Sequence, residues 1–178
     1  MITSGEKNMT VKMRALILGS LTLVGTALTV ASDARASNES DKAEVTALIE
    51  HLYAVFSHKD LNATMACFSD DPDAVFFEDT IPFQMNKAML RKDIEVFFNS
   101  VSEVHSHAEA VSVQVSGDLA AAHLIQHDTW TDQTGTHSQT ARYTQIDRKE
   151  GGKWLIWHEH LSLPFDPVTG KAIFDATP

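Results

Sequence analysis

The stretch Lys153-Trp154-Leu155-Ile156-Trp157-His158-Glu159-His160-Leu161-Ser162-Leu163-Pro164 decides how this chain is read. Its aromatic and aliphatic content predicts a strand, yet three ionisable groups sit in its middle. Side chains alternate across a strand. Leu155, Trp157, Glu159, Leu161 and Leu163 therefore share one face, and Trp154, Ile156, His158, His160 and Ser162 the other. Whichever face is covered, a carboxylate or two imidazoles must be hydrogen-bonded, paired or open to a polar cavity, because burying an unsatisfied polar group is costly. A strand of this kind points to a lined cavity.

Working back from it, three more strand-like runs precede: Glu103–Ser116, with Val111, Val113 and Val115 on one side, then Leu119–Thr131 and His137–Arg148. Turns at Gly117-Asp118, Asp132–Gly135 and Lys149–Gly152 separate them, so the four form one antiparallel, curved sheet. Helical spacing marks Asp41–His58 (Val45, Leu48, Ile49, Leu52, Tyr53, Phe56, with Ser40 or Asp41 as cap), Leu61–Phe68 and Lys87–Ser100 (Leu90, Ile94, Phe97, Phe98). A short strand, Ala74–Glu78, lies between the last two. Helices first and a meander second predict an α+β domain. The tail after Pro164 is turn-rich and is expected to lie over the surface.

Residues 1–36 read as a leader outside this domain. Lys7, Lys12 and Arg14 precede an apolar run, Ala15–Val30, which ends in small residues and Ala34-Arg35-Ala36. That is the pattern of a secretory signal peptide cleaved after Ala36. The run is shorter than the roughly 20 residues that span a bilayer, so no stable membrane insertion is expected. The mature domain is then residues 37–178, exported to the periplasm or secreted. The leader takes four of the 14 Lys and Arg and two of the 24 Asp and Glu, leaving 10 against 22 and a charge of −12. Such a charge argues against nucleic acid or anionic membrane as partner. Cys67 stands alone and reads as a small buried hydrophobe in a core built by packing.

The order of elements and certain motifs resemble the ketosteroid isomerase/NTF2-like superfamily, and within it the SnoaL-like group. The residues that carry this are Asp60-Leu61, Phe68-Ser69-Asp70-Asp71, Glu78-Asp79, Arg142-Tyr143-Thr144, Gly152-Lys153-Trp154, and His158 to Pro164 with Asp166, Thr169 and Gly170. The resemblance covers about Glu44 to Ala172. It implies an NTF2-like cone, three N-terminal helices on a strongly curved, mainly antiparallel sheet that encloses a pocket, and commonly a homodimer. It places Asp79 where steroid isomerases carry the proton-shuttling carboxylate. Their cavity tyrosine would fall at Leu52, beside Tyr53, and their second acid at Thr144, so their oxyanion hole is absent as such.

The same resemblance predicts which strand faces line the pocket: His123, Ile125, His127 and Thr129; then Thr140, Arg142, Thr144 and Ile146; then Leu155, Trp157, Glu159 and Leu161. Asp79, Glu159, His123 and His127 become the candidate catalytic groups, with Arg142, Thr144, Trp157 and Tyr53 as substrate contacts. Acids and imidazoles among apolar walls suit general acid–base work. Asp79 would abstract a proton beside a carbonyl, Arg142 with an imidazole would stabilise the oxyanion, and Glu159 would orient an imidazole or return the proton. A register slip of one residue would turn His158 and His160 inward instead. Arg142 and Glu159 could equally form a structural ion pair, and Asp79 a turn cap. Of the pairs His105/His107, His123/His127 and His158/His160, the spacing of four in His123/His127 separates side chains on a strand by about 13 Å, too far for one ion, and a metal site would have to combine different strands. The expectation is a cofactor-free enzyme acting on a small hydrophobic carbonyl compound. The rival is a non-catalytic periplasmic small-ligand-binding or assembly module.

Overall fold

The computed structural model describes residues 37–80, 82 and 84–174; the expected leader lies outside them. Three helices precede the four-strand meander, α1 over residues 37–57, α2 over Leu61–Met65 and α3 over Lys87–Ser100, with a short strand between the last two. The side chain of Asp60 caps α2 by accepting from Ala63 N, and Asn86 caps α3 by accepting from Met89 N, each at 3.0 Å. Asp41 is not the cap expected of it. It lies within α1, nearly buried, and its Oδ1 sits 2.5 Å from Lys149 Nζ. Among the described residues no helix is long and apolar enough to cross a membrane.

Five strands form one sheet in the order β1-β5-β4-β3-β2: β1 Val75–Phe77, β2 Glu103–Ser116, β3 Leu119–Asp132, β4 Gly135–Glu150 and β5 Lys153–Ser162. β1 pairs with β5 in parallel and the other pairs are antiparallel. The α2 helix stops at Met65 rather than Phe68 because the chain there joins the sheet. Ser69 N donates to Ile156 O at 2.8 Å, and Ile156 N donates to Cys67 O at 2.9 Å. Cys67 is buried, and burial pushes its thiol up to about 11 against the opposing pull of Lys87.

Two bulges shape the sheet. In β2 the pairing with β3 slips between Glu109 and Ser112, where Ala110 adopts a φ of 53°. In β5 the pairing with β4 passes from His158 opposite Ile146 to Ile156 opposite Asp147, leaving Trp157 as the extra residue. The inner face of β5 therefore reads Trp154 and Ile156 before the bulge and Glu159 and Leu161 after it. Strict alternation places Trp157 with Glu159. A bulge inserts one residue and reverses the facing of every later side chain on the strand, so Trp157 leaves that face and lies 5.4 Å from the Arg148 guanidinium.

Two hydrophobic clusters hold the helices to the sheet. One joins Leu52 of α1 with Phe68, Phe76, Met85, Ile156 and the α3 residues Leu90, Ile94 and Phe98. The other joins Val45, Ile49 and Tyr53 of α1 with Ala120, Ala122 and Leu124 of β3 and Ala141 and Tyr143 of β4. Each large side chain fully buried here, such as Ile49, Phe76 or Ile156, contributes about 1.5–3 kcal/mol. The inward residues of β3 are thus even-numbered and those of β4 odd-numbered. That is the opposite of the faces expected for both strands.

Candidate active site

A cavity of about 510 Å³ lies between α1, α3 and the inner sheet face. Leu52, Phe56, Phe68, Ile94, Phe97, Trp130 and Leu161 supply apolar wall. Phe97 stands between two other rings, with centroids 5.9 Å from Phe56 and 6.2 Å from Trp130. Two strings of polar side chains cross this surface.

The first begins on β1. Phe76 is wholly buried opposite Glu159, so alternation brings Glu78 to the same side, where it meets the Glu159 carboxyl in a hydrogen bond. The Tyr143 hydroxyl donates to Glu159 Oε2 in a short bond. Burial raises Glu78 well above the usual carboxylate range, and the neighbouring Glu159 and Asp79 add to it. Burial raises Glu159 too, against the lowering effect of its bonds from Glu78 and Tyr143. A buried and a half-buried carboxyl in contact titrate as one unit, and holding one proton between them avoids two adjacent charges poorly reached by water. The Tyr143 phenol is raised well above its ordinary value, first by burial and then by Glu159, and remains a donor.

The second string begins on α1. Tyr53 Oη donates to Gln126 Oε1 at 2.8 Å, Gln126 Nε2 donates to Asp128 Oδ2 at 2.7 Å, and Gln139 Nε2 donates to the same oxygen at 3.1 Å. Gln139 also hydrogen-bonds Asp79. Asp79 lines the cavity and is itself exposed, as are Thr80 and Asp93, so these residues mark the mouth. Its carboxyl is raised, chiefly by the burial of its inner side and then by Asp128, while its own backbone N–H opposes the shift. Solvent on the open side screens these effects.

Of the candidate residues, Asp79, Glu159 and Tyr53 meet at this cavity. His123, His127, Arg142 and Thr144 do not, because the opposite faces of β3 and β4 turn inward and a one-residue difference swaps every side chain. Exposed His123 faces away from it. His127 stacks on His107 at 4.9 Å, and its Nε2 lies 2.8 Å from Glu109 Oε2. Arg142 is exposed and donates to Leu163 O at 3.4 Å; the residue opposite Glu159 is Gln145, so no Arg142–Glu159 pair forms. His158 Nδ1 lies 2.7 Å from Val75 O, and exposed His160 sits 5.8 Å from the Phe77 ring centre. Trp157 lies outside the lining.

Glu78, Asp93, Gln126, Asp128, Gln139 and Tyr143 add to the polar lining, and none of them is a candidate on sequence grounds. The signal for them lies in the alternation of Ala120, Ala122 and Leu124, and in Ala74, Phe76 and Glu78. The tail also departs from expectation: Ala172 and Phe174 line the cavity, and Thr140 N donates to Phe174 O at 2.8 Å. Among the described residues no group of three or more His, Cys, Asp or Glu is placed to hold a metal ion.

Residues 45–166 match the model of the SnoaL-like domain. An NTF2-like protein of unknown function from Pseudomonas putida KT2440 is 28% identical, with a TM-score of 0.71 over 79% of this chain and 98% of that one. An NTF2-like superfamily protein from Salmonella enterica serovar Typhimurium LT2 superposes with a TM-score of 0.66 at 20% identity, over 76% of this chain and 99% of the other. A protein from Streptomyces avermitilis, named as a candidate dehydratase of the NTF2-like family, gives 0.65 at 14% identity, over 72% and 99%. No curated protein matches the chain. The match over most of the domain, with the helices-on-curved-sheet architecture, makes this chain a member of the SnoaL-like family of the NTF2-like superfamily.

Proposed function

We propose that the protein is an exported, cofactor-independent enzyme that moves protons on a small hydrophobic carbonyl compound, by isomerase, cyclase, dehydratase or lyase chemistry, and that it works as a homodimer. One observation supports this above the rest. A mouth carboxylate, Asp79, shares an aromatic cavity with the hydrogen-bonded trio Glu78, Glu159 and Tyr143. Asp79 takes a proton from the carbon beside the carbonyl; the C–H electron pair becomes the carbon–carbon double bond of the enolate, and the carbonyl π pair moves to the oxygen. The proton held between Glu78 and Glu159 is given, or offered in a hydrogen bond, to that oxygen. Asp79 then returns its proton to carbon, or passes it to a departing hydroxyl that leaves as water, and in either case the oxygen gives its proton back to the Glu78–Glu159 pair as the carbonyl re-forms. His123, His127 and Arg142 drop out of the proposal because their side chains lie on the outer face.

The test is exchange of the α-protons of a panel of enolisable ketones in D₂O, followed by NMR. Asp79→Asn is expected to slow exchange by about 10²–10⁴-fold with the circular dichroism spectrum unchanged. Undiminished exchange in that variant removes the base. Ligand retained chemically intact, with no exchange across the panel, identifies a binding module instead.

A further inference from the structure

We propose that the molecule held in this cavity carries a protonated amine; the proposal rests on the reading that the cavity is the functional site. Every ionisable group among the described lining residues is an acid or a phenol: Glu78, Asp79, Asp93, Asp128, Glu159 and two tyrosines. None is Lys, Arg or His. A carboxylate or phosphate ligand would meet like charge in a hollow where screening is weak. An ammonium group meets attraction.

Asp128 is where that attraction is most specific. It lines the cavity at only 7% exposure. Its Oδ2 accepts from the side-chain amides of Gln126 and Gln139, while Oδ1 is buried with no hydrogen-bond partner. Two amide donors orient a carboxylate without neutralising it, and no cation among the described residues pairs with it. A buried, uncompensated carboxylate oxygen is costly, and an ammonium N–H supplies the missing partner and charge together. Trp130 and Phe97 stand in the same wall, and aromatic faces attract cations, tryptophan best. At the mouth, exposed Asp79 and Asp93 raise the local concentration of cations approaching the opening. The ligand class that fits is a hydrophobic body bearing an amine.

The experiment is equilibrium calorimetry of the full chain with three probes of one scaffold: 3-phenylpropylamine, 3-phenylpropan-1-ol and 3-phenylpropanoate. The amine is expected to bind about tenfold or more tighter than the alcohol, and the acid weakest. Asp128→Asn should bring the amine to within about threefold of the alcohol and leave the alcohol's Kd unchanged. Amine and alcohol of equal affinity, or an acid as tight as the amine, overturns the proposal, and so does a folded Asp128→Asn protein that keeps the preference. Should that variant fail to fold, the wild-type ranking decides alone. None of these readings needs turnover. An amine preference without α-proton exchange leaves this inference standing and removes the enzyme, whereas exchange with no amine preference does the reverse.

Discussion

Asp147 shows what a single side chain can cost this fold. It lies wholly buried on the inner face of β4, accepting from Gln145 Nε2 at 2.6 Å. Burial, opposed by that bond and aided by Glu159, pushes its carboxyl up to about 7. The folded value stands above the unfolded one. The stabilisation relative to the ionised form is therefore complete below about pH 4 and is lost as pH rises through 7, up to about 4 kcal/mol in all. Asp147→Asn keeps the acceptor and has no charge to bury. Its melting temperature should exceed the wild type's increasingly from pH 5 to pH 8; a constant difference across that range would refute the assignment. Tyr143 acts through Glu159 in the other sense. Tyr143→Phe removes a bond that lowers the Glu159 pKa. The proposed enzyme needs the shared proton, so the alkaline limb of its pH–rate profile should move to higher pH.

At the scale of elements, the helices and turns are legible in the sequence and the strand faces are not. Lys87–Ser100 is helical over the bounds that its apolar spacing marks, because helix signals are local. Strand starts at Glu103, Leu119 and Lys153 also agree. Which side of a strand faces in depends on partners and on bulges, and neither is local. The extra residue at Trp157 breaks the alternation of β5 in the middle of its apolar run, and nothing in that run marks the break. In β3, by contrast, Ala120, Ala122 and Leu124 name the inner face, and the more conspicuous histidines at 123 and 127 mask it. Asp79 and Glu159 are legible from the resemblance and line the cavity, as does Tyr53, one position from where the resemblance places a tyrosine; the amide–carboxylate string of Gln126, Asp128 and Gln139 depends on a cross-strand register that sequence does not display. The β2 bulge carries its own prediction. Ala110 holds a positive φ of 53°, which costs an L-residue about 1–2 kcal/mol. Ala110→Gly should leave stability unchanged or raise it by up to about 1 kcal/mol, and Ala110→Val should lower it by about 1–2 kcal/mol, both read by urea denaturation.

For the whole molecule, the proposed export makes a prediction independent of the site. The protein recovered from cells should begin at Ser37, as N-terminal sequencing will read; retention of residues 1–36 would refute cleavage there. Light scattering on the same material should give twice the monomer mass if the domain pairs as proposed. Acidic residues dominate both the cavity and the domain, so a cationic ligand is drawn first to the molecule and then to its opening.

The backbone bond from Thr140 N to Phe174 O fastens a late part of the chain across the end of β4. A sheet whose five strands are complete by Ser162 thus borrows one side of its hollow from residues that lie outside those strands. Protein shortened to stop at Pro164 should melt close to the intact form and yet lose affinity for whatever it holds.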